Sequence, residues 1–162
     1  MKNKYHLSLA LLLGLSLSWL VASVFIDFFA APAIFSTITS RDEAASLGVK
    51  VFTLFNYVEL LVAVAILSIV LMMTSVKKVR NMLASLILLI FPILYTFILS
   101  PNLDKLNNEK ANLMEDDIKM ELVQSSLDFY HNFYVRADSV KILGLLAFVI
   151  VQIKDINKED NI

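Results

Sequence analysis

The sequence predicts an all-α membrane protein, a four-helix transmembrane bundle with both termini in the cytoplasm. Two observations predict this class: 58% of the residues are hydrophobic, against about 45–50% in soluble domains, and they collect in long runs. The length of 162 residues leaves room for about four spans of about 20 residues each and for no separate soluble domain. We therefore interpret residues 1–162 as a single integral membrane domain.

The first span is predicted over residues 7–30. Leu7 to Ile26 alone is 20 residues, a helix of about 30 Å, which is enough to cross the hydrocarbon. The apolar run of a signal peptide is shorter, about 7–15 residues, so we expect this segment to be retained. Trp19 lies in the middle of the span, where we expect it to face lipid or to pack in the bundle.

A connection separates the first two spans. Pro32 predicts that the first helix does not simply continue, because proline lacks an N–H donor and restricts the residue before it. Ser40, followed three residues later by Glu43, resembles a capping box, which predicts a helix start near Arg41. That helix is expected to run without a break into the second span, at about 51–74.

The third span is predicted at about 82–99, with a kink at Pro92. The connection after it is rich in acidic residues, yet apolar residues such as Leu122 and Phe129 keep a helical spacing. We therefore expect an amphipathic helix outside the membrane that extends the last span.

The last span is predicted at about 134–153 and contains charged residues. Its uncharged run, Ile142–Ile153, is only 12 residues long, whereas a span needs about 20. Extending the span toward the amphipathic segment places Arg136, Asp138 and Lys141 inside the membrane. Tyr130 and Tyr134, near the outer boundary, are interpreted as aromatic residues of the membrane interface.

Lysine and arginine predict the orientation. Seven basic residues flank the same ends of the predicted spans: Lys2, Lys4, Lys77, Lys78, Arg80, Lys154 and Lys158. The positive-inside rule places these ends in the cytoplasm, so the connections after the first and third spans lie outside. We expect the protein in the cell membrane, which in a bacterium is the inner membrane.

Helical rise predicts one layer of charge in the outer leaflet. Counted from the cytoplasmic ends, Lys141 lies about 20 Å deep, Asp138 and Glu59 about 24 Å, Arg136 about 27 Å and Asp27 about 30 Å. A charge at such depth costs about 2.5–3.5 kcal/mol unless it is paired. We therefore expect Glu59 to pair with Lys141 or Arg136, and Asp138 with Lys141 at i,i+3.

A polar pocket that opens outward is the functional interpretation of this layer. The candidate residues are Asp27, Asn56, Glu59, His131, Asp138 and Lys141. Carboxylates with an imidazole could bind a cation or relay a proton. In the alternative interpretation the charges pair, fix the helix register and do no chemistry. Glu59 is the leading candidate, because it is the deepest acid without a partner nearby in the sequence.

Three functions remain open on this evidence. The first is a non-enzymatic protein that handles a cation, a proton or a small solute. The second, ranked equally, is a structural or accessory subunit in a homo- or hetero-oligomer. The third, ranked behind, is a membrane-embedded enzyme that acts on a lipid or quinone-like substrate.

The sequence contains no motif for a thiolate metal site, a nucleotide-binding site or a nucleic-acid partner. The chain has no cysteine, no His-x-x-x-His and no glycine-rich phosphate loop. We expect no cofactor and no catalytic residues, and the metal question stays open. A net charge of -1 gives no indication of a nucleic-acid partner, which leaves the lipid bilayer as the expected one.

The first connection and the last span carry a family resemblance. Span one ends in Ala30-Ala31-Pro32-Ala33-Ile34-Phe35, which is followed by Arg41-Asp42-Glu43-Ala44-Ala45 and Phe52. The last span is preceded by Phe129-Tyr130-His131. This layout resembles the transmembrane protein 205-like family of small four-helix membrane proteins, in which span one ends in an Ala-Pro-x-x-Phe element. The resemblance implies a four-helix fold with Pro32, Phe35 and His131 at motif positions, and it implies no defined biochemical activity.

Overall fold

Four long helices make up the computed structural model, which describes residues 2–73, 77–113 and 118–159. Helix α1 consists of Lys2–Phe25, a π-helical turn Ile26–Ala30, and Ala31–Thr37. Helix α2 is Arg41–Met72. Helix α3 consists of Lys78–Leu94, a π-helical turn Tyr95–Leu99, and Ser100–Ala111. Helix α4 is Ile118–Glu159, and the described residues contain no strand.

The helices form a ring in chain order. Each packs against the next, and α4 returns to pack against α1. Helices α2 and α4 therefore face each other across one diagonal of the bundle. We call the end where residues 38–40 join α1 to α2 the loop end, and the opposite end, where Lys2 and Glu159 lie, the termini end.

Three of the helices are long and apolar enough to cross a membrane: His6–Thr37, Arg41–Met72 and Lys78–Ala111. Their outward faces carry large apolar side chains, among them Leu54 and Leu61, which are 69% and 71% exposed. Contiguous apolar surface of this kind marks contact with lipid or protein rather than water. The prediction of an all-helical protein is confirmed, with three helices that are long and apolar enough to span a membrane, and α4 is present as a fourth helix.

The first helix extends past the predicted span end at residue 30 to Thr37, although it does not pass Pro32 as one uninterrupted α-helix. A proline removes one backbone donor, and here the wider π-helical turn Ile26–Ala30 precedes it, with the N–H of Ala31 bonded to the carbonyl of Ile26. Pro32 then stands in the first turn of Ala31–Thr37, where a missing N–H costs little. The connection shrinks to residues 38–40.

The predicted start of α2 is confirmed. Ser40 is extended, and its Oγ accepts a hydrogen bond from the backbone N–H of Glu43 at 3.4 Å. This satisfies one of the donors that a helix start leaves unpaired.

Helix α3, like α1, contains a π-helical turn that is followed closely by a proline. Its π-helical turn Tyr95–Leu99 is followed by Ser100 and Pro101, and the N–H of Ser100 bonds to the carbonyl of Tyr95. Helix α3 therefore continues to Ala111, beyond the predicted span end at residue 99. Pro92 lies inside the helix, as predicted, and is buried.

Helix α4 is continuous over 42 residues, which confirms that the segment before the last predicted span is helical and extends it. Its predicted apolar face is not buried, since Leu122 and Phe129 are each 66% exposed. Val123 is buried instead, because packing against Ser100–Ala111 of α3 decides which side of this segment faces inward.

The interior divides into two zones. Toward the termini end it contains an apolar cluster that includes Leu12, Ile66, Val70, Leu145 and Phe148, with a few buried polar side chains, Asn81, Ser85 and Gln152. Toward the loop end it is aromatic: its buried members are Tyr95, Leu99 and Tyr134. The charges of Glu59, Asp138 and Lys141 lie between these zones, so the apolar cluster separates them from the termini end.

A second charged group ties α3 to α4 at the termini end. The carboxylate of Asp155 is nearly buried and accepts from Arg80, while Lys77 Nζ lies 3.4 Å from it. The basic turn of the sequence is therefore partly neutralised within the bundle.

Candidate functional site

Glu59 lies at the centre of a polar cluster in the bundle interior. Its side chain is fully buried, and its Oε1 accepts three hydrogen bonds. The donors are Trp19 Nε1 at 2.8 Å, Ser23 Oγ at 3.0 Å and Lys141 Nζ at 2.5 Å. A carboxylate with several donors is well compensated for the loss of water, so these bonds hold Glu59 in a fixed position.

Lys141 forms ion pairs with two carboxylates. Its Nζ lies 2.5 Å from Glu59 Oε1 and 2.5 Å from Asp138 Oδ1. The ammonium also lies 5.3 Å from the ring centroid of Tyr95 and 5.8 Å from that of Phe55, within the range of a cation–π attraction. Both expected pairs, Glu59 with Lys141 and Asp138 with Lys141, are therefore present.

Asn56 links three helices beside this ion pair. Its Nδ2 donates to Ser100 Oγ at 2.9 Å, and its Oδ1 accepts from the hydroxyl of Tyr134 at 2.9 Å. Tyr134 is buried and stacks on Tyr95 with ring centroids 4.6 Å apart. The interpretation of Tyr134 as an interface aromatic is wrong, because the i,i+4 spacing to Asp138 places it on the inward stripe of α4.

A cavity of about 640 Å³ opens between the four helices toward the loop end. Half of its lining residues are apolar, the largest of them Phe28, Phe35 and Phe52. The polar and charged residues that line it are Asp27, Arg41, Asp42, Ser100, Asn107, Lys110, Gln124, Asp128, His131, Tyr134, Asp138 and Ser139.

The acidic residues of the cavity differ in how they are compensated. Near the loop end, Asp42 pairs with Lys110 at 2.8 Å and Asp128 accepts from Gln124 at 2.9 Å. Asp27, which belongs to the π-helical turn of α1, forms no ion pair among the described residues. Its carboxylate lines the same cavity as that of Asp138 and is close enough to interact with it electrostatically.

Negative charge exceeds positive charge at the deep end of the cavity. Glu59, Asp138 and Asp27 supply three carboxylates, and Lys141 supplies the one ammonium that touches any of them within the described part of the chain. Within the described part of the chain, one oxygen of Glu59 and one of Asp138 have no hydrogen-bond partner. Such a site attracts a proton or a cation, since unpaired charge in a low dielectric is costly.

The structure divides the candidate residues into two groups. Asp27, His131 and Asp138 line the cavity, and His131 is exposed. Asn56, Glu59 and Lys141 are fully buried and do not line it. Arg136 is exposed on the other side of α4. In residues 2–73, 77–113 and 118–159, no group of three or more His, Cys, Asp or Glu side chains is arranged to hold a metal ion.

Several members of the cluster were not predicted from the sequence. Trp19, Ser23 and Asp27 follow one another at i,i+4 on α1, and that stripe was an available signal for Trp19. The parts played by Tyr95 and Ser100 had no such signal, because the π-helical turn at Tyr95–Leu99 alters which side of α3 faces inward.

Comparison with protein families matches residues 7–112 to a family described as a domain of unknown function, DUF4149. This chain belongs to the DUF4149 family. The match covers more than half of the chain and includes α1, α2 and α3. Comparisons with curated proteins and with solved structures give no match.

The extent of the DUF4149 match divides the site. Asp27, Glu59 and the motif positions Pro32 and Phe35 lie within it. Helix α4, with His131, Asp138 and Lys141, lies beyond it. Two of the three carboxylates, Asp27 and Glu59, therefore belong to the family-defined region, whereas the third, Asp138, and the ammonium of Lys141 lie outside it.

Proposed function

We propose that this protein is an integral membrane protein that binds a proton or another cation in its cavity, at Asp27 and Asp138. The observation that carries the proposal is the charge count at and next to the deep end, where three carboxylates are accompanied by one buried ammonium, which contacts two of them. The missing positive charge is supplied by the bound proton or cation. The proposal includes no catalytic step.

In this proposal the chain crosses the cell membrane four times, with α4 as the fourth span and both termini in the cytoplasm. The basic residues near the termini end support this orientation. The cavity then opens to the outside, in the outer leaflet. We also propose kinship with the transmembrane protein 205-like family, which the Ala-Pro-x-x-Phe element at Pro32 and Phe35 supports.

Glu59 and Lys141 have a different part in the proposal. They lie deeper than the cavity lining and are sealed by Trp19, Ser23 and the rings of Tyr95 and Phe55. In the proposal this ion pair keeps its charges in fixed positions about one helical turn from Asp138, on the side of the termini end. Occupancy of the site changes the field at this pair, and through it the surroundings of Trp19.

Trp19 offers a direct test, because it is the only tryptophan of the chain and its indole donates to Glu59 at 2.8 Å. The purified protein in lipid nanodiscs is titrated with protons, Na⁺ and K⁺ while its fluorescence is recorded. We expect a saturable change with at least one of them. We expect Asp138→Asn and Asp27→Asn to shift or abolish this change, and Asp104→Asn, in the loop-end part of α3 and outside the cavity, to leave it intact. Identical titrations for the wild type and both cavity variants would refute the proposal.

A structural or accessory subunit is the second candidate, and the buried pair itself favours it. The Glu59–Lys141 contact crosses the bundle between helices that are not neighbours, which is an efficient way to fix their register. In that case the charges have no ligand, and the protein acts through a complex. Isolation from the native membrane in a mild detergent as a monomer without a partner chain would count against this candidate.

A further inference from the structure

The cavity combines two kinds of surface. Its deep end carries the carboxylates of Asp27 and Asp138, and its walls carry aromatic and aliphatic side chains from α1, α2 and α4, among them Phe35, Phe52 and Val135. Cavities of about 300–1,000 Å³ with mostly apolar walls and a few convergent polar groups are typical sites for small organic molecules. The volume here, about 640 Å³, falls in this range.

The shape of this surface fits a bare inorganic ion poorly. Hard cations take about six to eight oxygen ligands at short range, whereas half of the lining residues here have no side-chain oxygen or nitrogen. A proton fills almost none of the space. A ligand that combines a positive charge with apolar groups can contact both the carboxylates and the apolar walls of the cavity.

Charge is distributed along the cavity in a way that favours entry of a cation. The Asp42–Lys110 pair near the loop end is neutral as a unit, whereas the deep end has the excess of negative charge. The aromatic rings of Phe52 and Tyr134, which stand edge to face with centroids 5.4 Å apart, line the approach to Asp138. Aromatic faces attract organic cations.

We infer that the ligand of this cavity is a lipophilic organic cation, whose positive centre lies close to Asp27 and Asp138 and whose apolar groups pack against Phe35, Phe52 and Val135. The inference rests on the proposed function, since it names the chemical class of cation that the same carboxylates attract. It requires that both the charge and the free volume be needed for binding.

Gly48 allows the volume to be tested separately from the charge. It lies in the cavity wall, and a Cβ atom there would meet only the ring of Phe35, at 3.8 Å. A larger side chain at this position fits the helix and extends into the cavity. Gly14 on α1 provides the matched control, because it is exposed and a Cβ atom there would have no neighbour within 4 Å.

The experiment measures equilibrium binding of radiolabelled tetraphenylphosphonium to the full chain in nanodiscs, corrected for uptake by empty nanodiscs. We expect saturable binding, which neutral triphenylphosphine oxide does not displace. Asp27→Asn and Gly48→Leu are each expected to weaken binding about tenfold or more, as the loss of one nearby charge or of the free volume requires. Gly14→Leu should bind like the wild type.

Each other outcome overturns part of the proposal. Equal displacement by triphenylphosphine oxide would remove the role of charge, and unchanged binding by Gly48→Leu would remove the cavity as the site. Absence of saturable binding, with the Trp19 response to protons or Na⁺ intact, would overturn this inference and leave the proposed function standing. Absence of both responses would overturn both.

Discussion

Glu59 and Lys141 form an ion pair across the diagonal of the bundle, with Oε1 and Nζ 2.5 Å apart and side chains that are 0% and 1% exposed. The helices that carry them, α2 and α4, do not pack against each other. The pair therefore connects, through the centre of the bundle, two helices whose backbones do not approach each other in the described residues, and it helps to fix their separation and register. The Tyr134–Asn56 hydrogen bond spans the same diagonal one to two turns closer to the loop end.

Lys141→Met should strongly destabilise the protein. It leaves the buried carboxylates of Glu59 and Asp138 without their ammonium, and breaking one side of a buried ion pair costs about 3–5 kcal/mol. Reversible unfolding in mixed detergent and dodecyl sulfate measures the loss. Arg136→Met is the control, because Arg136 is exposed and a change at such a position is usually worth no more than about 0.5 kcal/mol. An equal loss for the two variants would contradict this account.

The double variant Glu59→Gln with Lys141→Met should be more stable than the sum of its single variants predicts. Lys141→Met alone leaves two carboxylates, Glu59 and Asp138, without their ammonium, whereas in the double variant only Asp138 loses its partner. The coupling free energy from the four-variant cycle is expected to be of the order of 1–3 kcal/mol. Strict additivity would mean that the two side chains do not interact in the folded protein.

Tyr134→Phe should destabilise the protein by about 1–3 kcal/mol, because it leaves the buried Oδ1 of Asn56 without its donor. The aromatic stacking on Tyr95 is retained in this variant, so the change isolates the hydroxyl. Tyr130→Phe, one turn away and only half-buried, serves as the reference in the same unfolding assay. A smaller loss for Tyr134→Phe than for Tyr130→Phe would be inconsistent with the buried hydrogen bond.

The orientation can be measured by labelling, since the chain contains no cysteine. Single cysteines at Asn107, near the loop end, and at Lys154, near the termini end, should react from opposite sides of the membrane. A membrane-impermeant maleimide added to intact cells is expected to label Asn107→Cys alone, and Lys154→Cys only after the cells are opened. The reverse pattern would invert the proposed topology, and labelling of both from outside would exclude four crossings.

The sequence was sufficient to predict the layer of charge. A helical rise of about 1.5 Å per residue and the cost of unpaired charge in lipid place Glu59, Asp138 and Lys141 at similar depths, and the structure brings these three together. The same reasoning placed Asp27 at the boundary, where it lines the cavity. The depth of a residue along the bundle axis does not determine the direction of its side chain. It therefore could not predict that Asp27 and Asp138 line the cavity whereas Glu59 and Lys141 are fully buried beside it.

Facing directions were harder to predict, because both π-helical turns interrupt the regular period of about 3.6 residues. Neither turn is marked by an unusual residue within it. Pro32 predicts an interruption of the helix, and the π-helical turn before it places Pro32 in the first turn of Ala31–Thr37, where the helix continues. The position of Tyr134 near the predicted outer boundary suggests an interface aromatic, whereas its hydroxyl donates to Asn56 on α2, 78 positions away in the chain.

The π-helical turns of α1 and α3 stand opposite each other in the ring, and each is followed by a small residue and a proline, Ala31-Pro32 and Ser100-Pro101. One extra residue rotates everything beyond it by about 100° about the helix axis. The two π-helical turns thus divide the bundle into a termini-end half, which contains the apolar cluster, and a loop-end half, which contains the cavity. Deletion of one residue from either π-helical turn would rotate the loop-end part of that helix away from the cavity, while the packing of the termini-end half stayed unchanged.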